Sequence, residues 1–178
     1  MAIAFHSLVS SFKLKNAAKV SKFIQLLVYL ELHEVGDIQY IFCSDSYLLK
    51  LNKQFLKHST LTDIITFDYS NSDIDFAPQL SGSFQKKNSS SRKLNKKHAF
   101  GNTQNLKHGT ILTGDIFISF DRVVENALLF KQPLNRELMR VIIHGALHLC
   151  GYKDKLPAHK KKMRAKEDYY LELWEQGV

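Results

Sequence analysis

Apolar positions along the chain follow two periods, and the switches between them lay out the elements. Ala2–Ser7 alternates weakly and predicts a first strand. From Asn16 to His33 the apolar residues Val20, Phe23, Ile24, Leu27, Val28, Leu30 and Leu32 recur at helical spacing. Asn16 is the expected cap of that helix and Gly36 its break. Asp37–Cys43 is short, β-branched and aromatic, hence a strand. Ser44 and Asp45 then open a helix through about Phe55. Asp63–Tyr69 (DIITFDY) and Thr110–Phe120, with GDIFIS at its heart, read as two further strands. Asp121–Phe130 reads as a short helix capped by Asp121, and Leu134–Cys150 as an apolar helix entered after Pro133 and ended by Gly151. Pro157–Glu175 is a charged helix whose buried side is Met163, Tyr170, Leu171 and Trp174. No internal repeat is visible. The pattern predicts an α+β fold, about four strands in a mixed sheet packed with about five helices, in a single domain.

Composition narrows the class. The chain has 178 residues, 44% of them apolar, enough for one core without staples. Collagen, coiled coil and a wholly disordered chain are excluded. The densest apolar run, Phe23–Leu30, contains Gln25 and falls far short of the roughly 20 residues of a membrane span. No basic segment precedes an apolar one at the N-terminus, so no secretory leader is expected. Cys43 and Cys150 make no disulfide framework and read as reduced thiols of a cytoplasmic protein.

The formal charge of +8 is concentrated in one place. Gln79–Gly109 carries Lys86, Lys87, Arg92, Lys93, Lys96, Lys97 and Lys107 and no acidic residue, while the rest is nearly neutral. This segment is rich in Ser, Asn, Lys and Gly, with too little apolar surface to offset its ordering entropy. It is expected to be a disordered insertion between two strands of one domain. Its cations suit either a polyanion-binding arm or a solvated loop with no partner.

Chemistry concentrates in His144-Gly-Ala-Leu-His148-Leu-Cys-Gly151-Tyr-Lys-Asp154. Two histidines four apart share one helix face and can hold one metal ion. Gly151 permits the left-handed turn that ends the helix, so the chain can double back and offer Asp154 as a third ligand. The spacing H-x3-H-x2-G-x2-D parallels the metzincin pattern with Asp in the last place. Three protein ligands and one open position describe a catalytic metal site. Residue 145 is Gly, where zinc peptidases of the HExxH kind carry their Glu base, so that activity is disfavoured. The bland alternative is a pair of core histidines. Cys150, two residues after His148, faces elsewhere on the helix and reads as core. Thr62 and Asp63 read as caps at a strand entry, with substrate contact as the alternative. Lys160, Lys161, Lys162, Arg164 and Lys166 form a basic stripe on the last helix, a solvated face by default and an RNA-facing edge otherwise.

The stretch HGALHLCGYKD resembles the YbeY family of bacterial metal-dependent endoribonucleases, whose signature is H-G-x-L-H-L-x-G-Y-D-H. The likeness extends in chain order through Leu51-Asn52…Phe55, Leu61-Thr62-Asp63-Ile-Ile-Thr66-Phe67, Gly114-Asp115-Ile116-Phe117-Ile118 and Met163-Arg-Ala-Lys-Glu167. It implies a compact α+β fold and one zinc ion per chain. The family's first two histidine ligands fall on His144 and His148, and its third falls on Asp154, with His159 as a backup. The implied activity is cleavage of single-stranded RNA in maturation of the small-subunit ribosomal RNA precursor. The implied partners are that RNA and the ribosomal small subunit. An Arg thought to contact RNA phosphate in the family aligns with Leu56, which cannot donate to phosphate; Lys53, Lys57 or His58 could reach the same region, though a lysine is not an equivalent fork. Asp115 and Thr66 are candidates to orient a ligand or touch substrate near the metal. No catalytic group is assigned beyond the metal-bound water. The alternative is a catalytically weak ribosome-assembly factor with a structural metal.

Overall fold

The computed structural model describes residues 2–70 and 109–177. Its elements are strand β1 (Ala2–Ser7), helix α1 (Ala17–Leu30), strand β2 (Glu34–Cys43), helix α2 (Asp45–Leu51), a π-helical turn (Asn52–Leu56), strands β3 (Ile64–Asp68) and β4 (Ile111–Ser119), and helices α3 (Phe120–Leu129), α4 (Leu134–Leu149) and α5 (Pro157–Glu175). One mixed sheet has the order β1-β2-β4-β3. The β1–β2 and β2–β4 pairs are parallel, and β3 is antiparallel to β4. Parallel neighbours cannot be joined by a tight turn, and α1 supplies the crossover from β1 to β2. The four strands and five helices match the expected α+β class. The basic stretch Gln79–Gly109, Gly109 apart, lies outside the described residues.

Strand alternation sorts the sheet's two faces. Ile38, Tyr40, Phe42, Leu112, Ile116 and Ile118 join α1, α4 and α5 in the main core. Ile41, Cys43, Phe117 and Ile65 face the other way and pack with Leu48 and Leu51 of α2. Helix α4 lies between the sheet and α5, so nearly all of its circumference is buried. The buried Tyr40 hydroxyl donates to the Ile142 carbonyl and ties α4 to β2. Gly145 allows the close contact: a Cβ there would stand 2.7 Å from Ile116 Cγ2 and 2.9 Å from Ile64 Cδ1. A Glu base at 145 is excluded for the same reason.

Four local expectations change. Asn16 occupies the N-cap position with left-handed backbone, and its side chain accepts no hydrogen bond. Gly36 lies inside β2, at a register shift against β4 between Val35 and Ile38, so it marks a bulge. Ser119, rather than Asp121, caps α3, its hydroxyl accepting from the Arg122 N–H. Asp121 instead accepts from the Asp45 N–H at the start of α2. The helix opened by Ser44 becomes π-helical after Leu51 and ends at Lys57, which is left-handed. Buried Asn52 donates to the Thr60 carbonyl at 2.7 Å and holds the loop that leads into β3.

Candidate metal centre

Helix α4 and the chain leaving it build the site. His144 and His148 stand one turn apart, with ring centroids 4.4 Å apart. After Cys150 the helix ends in a Schellman turn. Gly151 takes φ 88°, its N–H donates to the His148 carbonyl, and the Tyr152 N–H donates to the Leu147 carbonyl. The reversal brings Asp154 back over the histidines, its Oδ2 lying 3.9 Å from Nε2 of each. One donor atom from each of the three lies within 4.8 Å of the others. His159, the backup ligand, is outside this group.

The ring protons follow from the partners. His148 Nδ1 is 2.9 Å from the Tyr152 carbonyl oxygen, which can only accept, so Nδ1 carries the hydrogen and Nε2 keeps its lone pair. Burial and the neighbouring His144 lower the His148 pKa, so the ring stays neutral, the form that binds metal. His144 Nδ1 is 2.6 Å from Glu167 Oε1. Burial pushes the Glu167 carboxyl up, but His144 and Arg140 outweigh it and hold it below the ordinary carboxylate value. An ionised Glu167 therefore accepts from His144, and both Nε2 lone pairs are free to face Asp154. Two imidazole nitrogens and one carboxylate oxygen, with their outer nitrogens fixed, form a donor set that fits a divalent ion such as zinc.

A charge network stands behind this group. Arg140, one turn before His144, forks onto buried Glu137 at 2.7 and 2.9 Å. It reaches Glu167 at 3.2 Å and Asp63 at 3.5 Å. Asp63 thus serves as an ion-pair partner rather than the expected cap. The sequence offers no motif for Arg140 or Glu137, and Glu167 enters only as the end of the stretch Met163-Arg-Ala-Lys-Glu167. Their signal is spacing: 137, 140 and 144 fall on one helical face with the first histidine.

The other expected site residues scatter. Asp115 pairs with Phe67 in the β3–β4 ladder and accepts from the Tyr69 hydroxyl at 3.3 Å. Both histidine Nδ1 atoms have other partners, so Asp115 orients neither. Thr66 shares the strand face of Ile64, which touches α4 at Gly145, and its buried hydroxyl has no partner among the described residues. Lys57 is exposed at the end of the π-helical turn, beside exposed Leu56. Cys150 packs against the main core, and burial pushes its thiol up to about 12. Lys86, Lys87, Arg92, Lys93, Lys96 and Lys97 lie outside the described residues.

Comparison with known proteins gives a consistent answer. The family model for endoribonuclease YbeY matches residues 6–175. A Flavobacterium psychrophilum protein named endoribonuclease YbeY is 38% identical over 163 residues, covering 92% of this chain and 90% of its own. A Cytophaga hutchinsonii protein of the same name is 37% identical over 164 residues, with the same two coverages. A solution structure of a Thermotoga maritima protein shares the fold, with TM-score 0.54 and 22% identity over 98% of this chain and 91% of that one. The chain belongs to the endoribonuclease YbeY family.

Proposed function

We propose that this protein is a zinc-dependent endoribonuclease that cuts single-stranded RNA in maturation of the small-subunit ribosomal RNA precursor, in the cytoplasm. The observation that carries the reading is the approach of Asp154 to two histidines whose Nδ1 atoms are already committed. His144, His148 and Asp154 would hold the ion and leave one side open, as a catalytic site requires. When bound, such an ion would supply Lewis-acid chemistry, polarising a phosphodiester and easing the ionisation of a water. Asp154 in place of a third imidazole adds a negative charge to the donor set, which would ease that ionisation less than three neutral ligands would. Glu167 holds His144 in position, and the Tyr152 carbonyl does the same for His148. Among the described residues no helix is long and apolar enough to cross a membrane.

The test begins with metal content. The parent should carry about one zinc per chain, and Asp154→Ala much less. The parent should cut single-stranded RNA, and His148→Ala should bind that RNA without cutting it. A parent that binds RNA but cuts none with zinc, manganese or iron would favour the assembly-factor reading, which the exposed, donor-free Leu56 supports. A parent with no tightly bound metal would overturn the metallohydrolase reading.

A further inference from the structure

Helix α5 opens against its own dipole. From Lys155 to Lys166 the chain carries six cations and no carboxylate, although the N-terminal half of a helix favours acidic residues. Two of these cations have structural duties. Lys166 bonds Glu31 at 2.7 Å, and Lys162 lies 5.1 Å over the Tyr152 ring. Lys160, Lys161 and Arg164 do not: they are exposed, and none makes an ion pair among the described residues. These three, with Met163 beneath them, line a cleft of about 390 Å³ that also contains His144 and Asp154. Lys160, Arg164 and Glu167 follow i, i+4, i+7 spacing, so one helical stripe runs from the free cations to the carboxylate that holds His144. Arg140 also lines the cleft, but it is committed to three carboxylates.

We propose that Lys160, Lys161 and Arg164 form a phosphate subsite that holds the RNA backbone beside the metal ligands. The inference rests on the endoribonuclease reading for the identity of the polyanion. A strand with its scissile phosphate at His144 and Asp154 brings neighbouring phosphates along the cleft, where Lys160, Lys161 and Arg164 stand. Bases are not read there, so the subsite takes single strands of any sequence.

The experiment measures anisotropy of a labelled phosphorothioate single-stranded RNA ten-mer, which keeps its charge and resists cutting, across 50–200 mM salt (about the range over which such contacts are lost). The test variant is Lys160→Ala/Lys161→Ala/Arg164→Ala. The control is Lys13→Ala/Lys15→Ala/Lys22→Ala, which removes the same charge from exposed lysines outside the cleft. The cleft variant should lose about tenfold in affinity near 0.1 M salt and about 2 from the log–log salt slope, with metal content unchanged. The control should lose much less. Equal behaviour of the two variants overturns the subsite. Cleavage of ordinary RNA is followed separately in the parent. If the parent cuts nothing while the cleft variant still loses binding, the nuclease reading fails and the phosphate subsite stands.

Discussion

At the scale of single residues, the site depends on groups that touch no ion. Glu167 is 7% exposed and shared between His144 and Arg140. Glu167→Gln keeps its shape but removes the charge that fixes His144. Zinc affinity should fall about 10–100-fold, read by competition with a chelator, while the thermal midpoint moves little. An unchanged affinity would show that His144 holds its orientation without the carboxylate. Glu31 offers a second test away from the metal ligands. Burial raises its pKa, but hydrogen bonds from Lys166, Tyr170 and Tyr152 outweigh that and hold it below the ordinary carboxylate value. A carboxyl depressed in the folded state contributes stability above its unfolded pKa and loses it as pH falls through the folded value. Parent stability should therefore fall more steeply below about pH 4.5 than that of Glu31→Gln, measured by urea denaturation at stepped pH. Parallel curves would deny Glu31 that role.

At the scale of elements, what was legible in the sequence was what has a local cause. Helix α4 was readable because Pro133 opens it and Gly151 closes it, and the same turn announced Asp154. The π-helical turn at Asn52–Leu56, where Asn52 reaches the Thr60 carbonyl, is not readable because nothing in its local pattern departs from an ordinary helix. The cap of α3 was misplaced by two residues because Ser119 and Asp121 are both good caps, and only the distant Asp45 N–H draws Asp121 away. Arg140 and Glu137 carry no local motif in the sequence, because the partners that complete their network, Glu167 and Asp63, come from α5 and the entry to β3. Tertiary packing also determines residue 145. Gly145→Ala puts a methyl against Ile116 and Ile64, so that either those side chains or α4 itself must shift. The cost should be about 1–3 kcal/mol of stability. Metal affinity should fall with it, because any displacement of α4 disturbs the 2.6 Å contact between His144 and Glu167 on α5. Full affinity at reduced stability would mean that α4 and α5 shift together.

At the scale of the molecule, charge and fold separate along the chain. Lys86 through Lys107 carry the basic excess and lie outside the described residues, so sequence alone informs their role. The strands on either side are antiparallel neighbours whose facing ends are paired: Asp68 opposite Gly114, the Tyr69 N–H donating to the Thr113 carbonyl, and the Thr113 N–H donating to the Ser70 hydroxyl. A short Asn-Gly turn in place of 72–108 would leave that ladder complete. A much shorter loop also lowers closure entropy, by about 2 kcal/mol for three halvings of length. The shortened protein should therefore keep or raise its thermal midpoint and show the same metal content as the parent. Its RNA binding separates the two readings of the segment. If the seven cations meet phosphates, removing them should weaken single-stranded RNA binding and flatten the log–log salt dependence by up to about 5. If the segment is only a solvated insertion, affinity and slope stay at parental values. Adding the three cleft substitutions to the shortened chain then asks whether segment and cleft hold separate stretches of RNA. Separate stretches give additive losses, because sites with no shared partner do not couple. A shared stretch makes the second change nearly silent, since the phosphates it would release have already been released.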